Sequence, residues 1–348
     1  MRQSSRRAWL GLLACFTLLA FLIASRSSLG IEQSRHTITD SITNHTLGFS
    51  NIFVVSLPER TDKRDALALS SALTGFHVEF VDGIKGESVP DRAVPPGVDR
   101  NLLLETNLGS WRGHMNVIQK IVNEDIESAL ILEDDMDWDV RLKKQLKQVS
   151  EGARYLMPPS KASSSPYGDA WDVLWLGHCG EIFPEVLPEN EGKPLHPKYT
   201  MSNDETVPPL DKITGLVDFA QYPEFTRWVH ISGGPICSFA YAISQRGARK
   251  LLFDLSIDHL GGPFDNALAG FCRDGASRNL DGLQAKCLTV TPPVFFHHRA
   301  KGSFSGDSDI HMGPSAEMRE KGTTENIVWS ARNNLRNMML GLEVESQF

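Results

Sequence analysis

A chain of 348 residues, 41% hydrophobic and 22% charged, has a globular composition and enough length to bury a sizeable core. Its formal charge is −8, and the body of the chain has no concentrated Lys/Arg stripe. Together these exclude non-specific nucleic-acid binding.

Arg2, Arg6 and Arg7 precede Ala8–Ser25, an uncharged and mostly apolar run. A cleaved signal peptide has an apolar run of about 7–15 residues; a spanning helix needs at least about 17. The basic flank keeps its end in the cytosol. We therefore expect a cytosolic tail over residues 1–7, a transmembrane signal anchor over 8–25 and a Ser/Thr-rich luminal stem over 26–49. The body, residues 50–348, would then face the lumen of the ER or Golgi as a single-pass type II protein. Asn44-His45-Thr46 is the one N-glycosylation triplet. Outside the apolar run lie Cys179, Cys237, Cys272 and Cys287, which an oxidising lumen could pair. Cys272–Cys287 is the closer pair in sequence, and free buried thiols are the alternative.

Downstream, "NIFVVSL" (51–57) predicts a strand, 61–75 a helix with Thr61 as N-cap and Gly75 as its stop, and "FHVEFVDG" a second strand. Trp111, Met115, Ile118 and Val122 predict a helix capped by Ser110. "SALILEDDMDW" (128–138) follows: a buried-type strand running straight into Glu133, Asp134 and Asp135. Leu142, Leu146, Val149, Ala153 and Leu156 mark another helix, 157–168 a loop and 171–177 a strand. The Pro-rich stretch 180–226 reads as a surface insertion. "ICSFAYAIS" predicts a strand, "QRGARKLLFDL" a helix capped by Ser244, and "KCLTVTPPVFFHHR" a strand broken at Pro292-Pro293. Val328, Ala331, Leu335, Met338 and Leu342 predict a last amphipathic helix. Strands alternating with helices imply an α/β fold.

Carboxylates crowded at a strand end repel one another, and in open α/β sheets ligands bind at that end. A divalent cation would cancel the repulsion, and oxygen ligands suit Mg²⁺ or Mn²⁺. An exposed acidic turn is the other reading of the stretch taken alone.

Several phrases resemble those of glycosyltransferase family 25, which includes bacterial lipooligosaccharide and collagen galactosyltransferases. They are "VSLPERTDKR" (55–64), "GSWRGHMNVI" (109–118), "LILEDD" (130–135), "AYAISQRGARKLL" (240–252) and Pro263-Phe264-Asp265. Ser110 and Gly113 stand where the family phrase has cysteine and serine. The resemblance implies a GT-A-like domain with a central, mostly parallel sheet. It implies Mn²⁺ as cofactor, a UDP-sugar donor and a glycan or glycoprotein acceptor, with transfer of a hexose, galactose for preference. Asp135 would be the direct metal ligand, and Glu133 and Asp134 would meet ribose or metal-bound water, Glu133 also being a candidate ligand. One of His297 and His298 would complete the metal site, since strand alternation sends them to opposite faces. Arg60 and Arg64 would approach the nucleotide. His114, expected in the first turn of its helix, would meet donor phosphate or sugar. Asp265, expected on a turn, is the candidate base for an inverting displacement, with Asp137 as a rival. The other functional class is a non-catalytic GT-A-like protein that binds a sugar or a partner.

Overall fold

The computed structural model describes residues 41–277, 282–310 and 317–348. The anchor expected over 8–25 and the stem as far as residue 40 lie outside them. Among the described residues no helix is long and apolar enough to cross a membrane. Ile42 to Phe348 fold as one compact unit. The last residues expected in the stem belong to it, because Ile42, Leu47 and Phe49 are buried in the core. Asn44 stays exposed.

The chain opens with β1 (Asn51–Ser56), α1 (Thr61–Leu73), β2 (Glu79–Asp82) and α2 (Glu105–Asn123). Next come β3 (Ser128–Glu133), β4 (Met136–Trp138), α3 (Leu142–Leu156), β5 (Val173–Gly177), β6 (Lys198–Met201) and β7 (Arg227–Ile231). β8 (Ala240–Ser244), α4 (Gln245–Phe253), α5 (Phe264–Ala276), β9 (Cys287–Thr291) and β10 (Phe295–Arg299) follow, and α6 (Leu335–Leu340) is last.

Eight strands form one sheet in the order β2-β1-β3-β8-β5-β9-β7-β6. β1 runs parallel to β2 and β3, and β5 parallel to β9. The pairs β3–β8, β5–β8, β7–β9 and β6–β7 are antiparallel. The sheet is thus mixed, which corrects the mostly parallel expectation while remaining consistent with a GT-A-like fold. Strand direction depends on the route taken by the connecting chain, and hydrophobic alternation carries no record of it.

The run Ala129–Leu132 is apolar throughout because both faces of β3 are covered. Leu130 and Leu132 join the core on the side of α1 and α3, whereas Ala129 and Ile131 join the core under α2, α4 and α5. Each such leucine or isoleucine contributes about 1.5–3 kcal/mol by its burial.

Several expectations shift. Pro-rich 180–226 is more than a surface insertion: it supplies edge strand β6, and Phe183 and Phe219 pack with Trp228 in a small separate core. The final helix is short, because Val328 and Ala331 pack into the core ahead of it, where Ala331 N–H donates to Trp138 O at 2.9 Å. α1 starts at Thr61 itself, with Arg60 in the cap position. Ser244 does cap its helix, accepting from Gly247 N–H at 3.1 Å. Both disulfides form, Cys179–Cys237 and Cys272–Cys287.

Candidate active site

After β1 the chain turns to β2 on one side, and it later enters β3 on the other. Such a reversal opens a crevice at the carboxyl ends of the strands. A cavity of about 420 Å³ lies there, lined by Val55–Leu57, Gly83–Glu87, Lys63, His114 and Glu133–Asp135 among others. One wall is α2, which closely approaches the loop after β2. A Cβ on Gly109 would lie 2.3 Å from Ile84 O, and one on Gly86 would lie 1.8 Å from Glu105 O. Only glycine permits that contact. A second cavity of about 260 Å³ adjoins it, sharing Ser110, Glu133 and Asp135 and adding Ser238, Asp265 and His297.

The three acids are treated unequally. Asp134 is 7% exposed; it accepts from Ser56 Oγ at 2.8 Å and pairs with Lys63 Nζ at 3.1 Å. Burial nevertheless lifts its pKa. Glu133 accepts from Ser238 Oγ at 2.8 Å, and His114 Nε2 lies 3.8 Å away. For Glu133 burial is outweighed by His114 and Ser238, so its carboxyl sits below the ordinary value. Asp135 Oδ1 is buried and has no hydrogen-bond partner among the described residues. Its other oxygen is 3.9 Å from Lys63 Nζ. Burial, with repulsion from Glu133 and Asp134, pushes Asp135 up to about 7 despite Lys63.

Beneath this turn the structure is well braced. Arg332 donates to Met136 O at 3.0 Å and to Asp134 O at 2.9 Å. Asp137, fully buried, accepts from Trp138 N–H, Thr324 Oγ1, Ser330 Oγ and Arg332 N–H. This consumes its acceptor capacity and removes it as a rival base.

The two adjacent histidines diverge as β10 alternates. His297 reaches the second cavity, its ring tilted against Phe239 with centroids 4.5 Å apart; burial, then Arg299, holds it down at about 4. It is therefore neutral at pH 7, but its Nδ1 accepts from Arg299 Nη2 at 3.2 Å, so it ligates a metal only by giving up that bond. His298 lies on the opposite face, with Nδ1 2.8 Å from Thr324 Oγ1 and 3.7 Å from Asp137.

Other expected positions change. Ser110 lies inside α2, which begins at Glu105, so it is no N-cap, and His114 is mid-helix, away from any free N–H groups. His114 instead stacks on Phe264 with ring centroids 4.3 Å apart and meets Tyr241 Oη at 3.1 Å. It remains part of the cavity wall through its ring. Asp265 is in the first turn of α5, not on a free turn; its Oδ2 accepts from Cys237 N–H at 3.0 Å. Arg64 is spent on Ser56 O and Asp82, both at 2.7 Å, and Arg60 on Asp62 at 2.8 Å and Asp309 at 2.6 Å. Neither lines the larger cavity.

Lys63, from the same phrase, does line it and was not anticipated. A lysine in a helix whose other charges face solvent gives no sign of burial; its spacing one turn after β1 was the available cue. The brace from residues 323–334 was equally invisible, being joined to the acids only by tertiary contact.

Among the described residues Asp135 Oδ1 is a buried carboxyl oxygen with no partner, and the His297 imidazole shares its cavity; these donor types fit a divalent cation in chemistry. Their ligand atoms are not closed around a point: among the described residues, the trio within 4.8 Å of one another is Asp254, Asp258 and His259 on the surface.

Fold and site together define a mixed α/β protein with an acidic, strand-end ligand crevice. Residues 49–157 match the model of glycosyltransferase family 25 (LPS biosynthesis protein). This segment holds the first strand phrase, α2 and the acid turn, so three of the motifs that carry the resemblance lie inside the matched region. The chain is 23% identical over 233 residues to the human "Inactive glycosyltransferase 25 family member 3", covering 64% of this chain and 32% of the relative. It is 22% identical over 217 residues to the mouse "Procollagen galactosyltransferase 2", covering 59% and 28%. A "Glycosyltransferase 25 family member" of Aedes aegypti is 20% identical over 251 residues, covering 69% and 34%. The aligned regions thus span about a third of the length of these relatives.

Proposed function

We propose that the chain is a glycosyltransferase that moves a hexose, galactose for preference, from a UDP-sugar to a hydroxyl of a glycan or glycoprotein. The observation that carries this is Asp135 Oδ1, a buried carboxylate oxygen in the crevice between β1 and β3 without a partner among the described residues. Asp135, with Glu133 and His297, would hold Mn²⁺, whose charge there offsets that of a diphosphate leaving group. The larger cavity takes the nucleotide diphosphate, and the smaller one takes the transferred sugar and the acceptor.

Asp265 is the base. Cys237 N–H fixes one of its oxygens, and the other accepts the proton of the acceptor hydroxyl. As the acceptor hydroxyl's oxygen bonds to the anomeric carbon, the carbon–oxygen bond to phosphate breaks, and its electron pair leaves with UDP. Direct displacement inverts the anomeric centre. Ser238 and His114 position Glu133, while Arg332 holds the backbone of the acid turn.

We place this activity in the ER or Golgi lumen, on a type II membrane anchor over residues 8–25. Two disulfides and an exposed Asn44 in a glycosylation triplet support an oxidising, luminal setting.

The purified full-length chain, screened against UDP- and GDP-sugars with and without Mn²⁺, should turn over a UDP-hexose only with the metal. Absence of Mn²⁺-dependent turnover or donor hydrolysis across the panel would favour the second reading, a non-catalytic binding protein. Two observations favour that reading: a relative named as inactive, and candidate metal ligands that are not closed around one point.

A further inference from the structure

The carboxylate of Asp309 sits between two cations from the start of α1. Its Oδ2 is 3.0 Å from Lys63 Nζ and its Oδ1 is 2.6 Å from Arg60 Nη1. The cations are built in: the side chains of Lys63 and Arg60 are 10% and 16% exposed, against 37% for Asp309. Lys63 Nζ also lies 3.1 Å from Asp134 and 3.9 Å from Asp135. Asp309 comes from a segment 246 residues further along the chain and lines the larger cavity with Lys63, Asp134 and Asp135. Arg60, half-buried, also donates to Asp62, and a partly exposed carboxylate held by a buried lysine and this arginine is an anion that another anion can replace.

We propose that Lys63 and Arg60 form an anion subsite for a phosphoryl group of a diphosphate, and that Asp309 fills this subsite when no diphosphate is bound. The inference rests on the reading of the larger cavity as the donor site. Lys63 offers a compact charge to the cavity, and Arg60 adds a planar fork behind it. A diphosphate alone meets repulsion from Asp134 and Asp135, so it enters with a divalent cation, and it must displace Asp309 to reach Lys63.

Titration calorimetry of the full-length chain with inorganic pyrophosphate, at saturating Mn²⁺, tests this without any sugar transfer. Asp309→Asn removes the competing charge and should tighten pyrophosphate by about tenfold. Lys63→Met should weaken it by a similar factor and erase the gain when combined with Asp309→Asn. Arg60→Gln, further from the acid turn, should weaken it less and keeps the test open should Lys63→Met not fold. Equal or weaker binding by Asp309→Asn, full binding by the folded cation variants, or no binding by either wild type or Asp309→Asn overturns the proposal. Pyrophosphate binding with these effects but no UDP-sugar turnover would count against transfer and leave the subsite standing.

Discussion

Asp135 and Asp137 are two residues apart in one acidic phrase, yet the fold treats them oppositely. Asp137 is enclosed by four donors from the backbone and the C-terminal segment. Asp135 keeps a buried oxygen with no partner among the described residues, at the edge of two cavities. A carboxylate whose acceptors are filled belongs to the fold, and one desolvated without partners is poised for a ligand. Acid density in sequence does not separate the two.

The sharpest break between them should come from substitution. Asp135→Asn should abolish Mn²⁺-dependent transfer, and thermal stability without metal should stay level or rise as repulsion with Glu133 and Asp134 is relieved. In wild type, Mn²⁺ with UDP should raise the melting temperature by mass action, and in the variant that increment should largely vanish. Near-normal transfer with the full increment would remove Asp135 from the metal site. Asp137→Ala should do the reverse, costing about 2–4 kcal/mol in denaturant unfolding because it strands buried donors. A fully stable Asp137→Ala protein would dissolve the contrast.

The histidines extend it to β10. His297→Ala should raise the Mn²⁺ concentration needed for half-maximal turnover about tenfold or more, in line with loss of one metal contact. His298→Ala should leave that requirement unchanged and lower the melting temperature, since His298 packs on the Asp137 brace. Equal effects on the metal requirement would remove histidine from the site.

The smallest effect concerns Glu181, a fully buried carboxyl remote from the acid turn in sequence. Its Oε1 accepts from Ile182, Gly233 and Gly234 N–H, while Oε2 has no partner within hydrogen-bond distance among the described residues, and Thr289 only partly offsets the effect of burial. Burial raises its pKa from 4.5 to about 7, so between those values the folded chain holds a proton that the unfolded chain has released. Its contribution to stability is therefore present below about 4.5 and is lost as pH rises to about 7. Asp139, raised to about 6, acts in the same direction, so the measurement is the difference between wild type and Glu181→Gln. The variant should show a flatter decline in melting temperature between pH 4.5 and 7. Parallel profiles would mean that Glu181 titrates normally.

Much of the fold was legible in local pattern. β1, α1, β3, α3 and β8 with capped α4 follow from alternation, period and cap chemistry, which neighbouring residues fix among themselves. β7 and α5 were not anticipated: "RWVHI" follows the Pro-rich stretch without a turn signal, and α5 opens after Pro263 where glycines suggested a turn. The acid turn, Asp265 and His297 were legible as residues around the crevice. What tertiary structure decided was how each group is spent. Arg60 and Arg64 find carboxylates, Lys63 enters the cavity, His114 sits mid-helix, and Asp137 meets a brace nearly 200 positions away. Sequence determines which groups a strand end presents. Whether such a group is satisfied or left wanting a partner depends on donors that only the folded chain brings within hydrogen-bond reach, because both desolvation and hydrogen bonding act over a few ångströms of space whatever the separation along the chain.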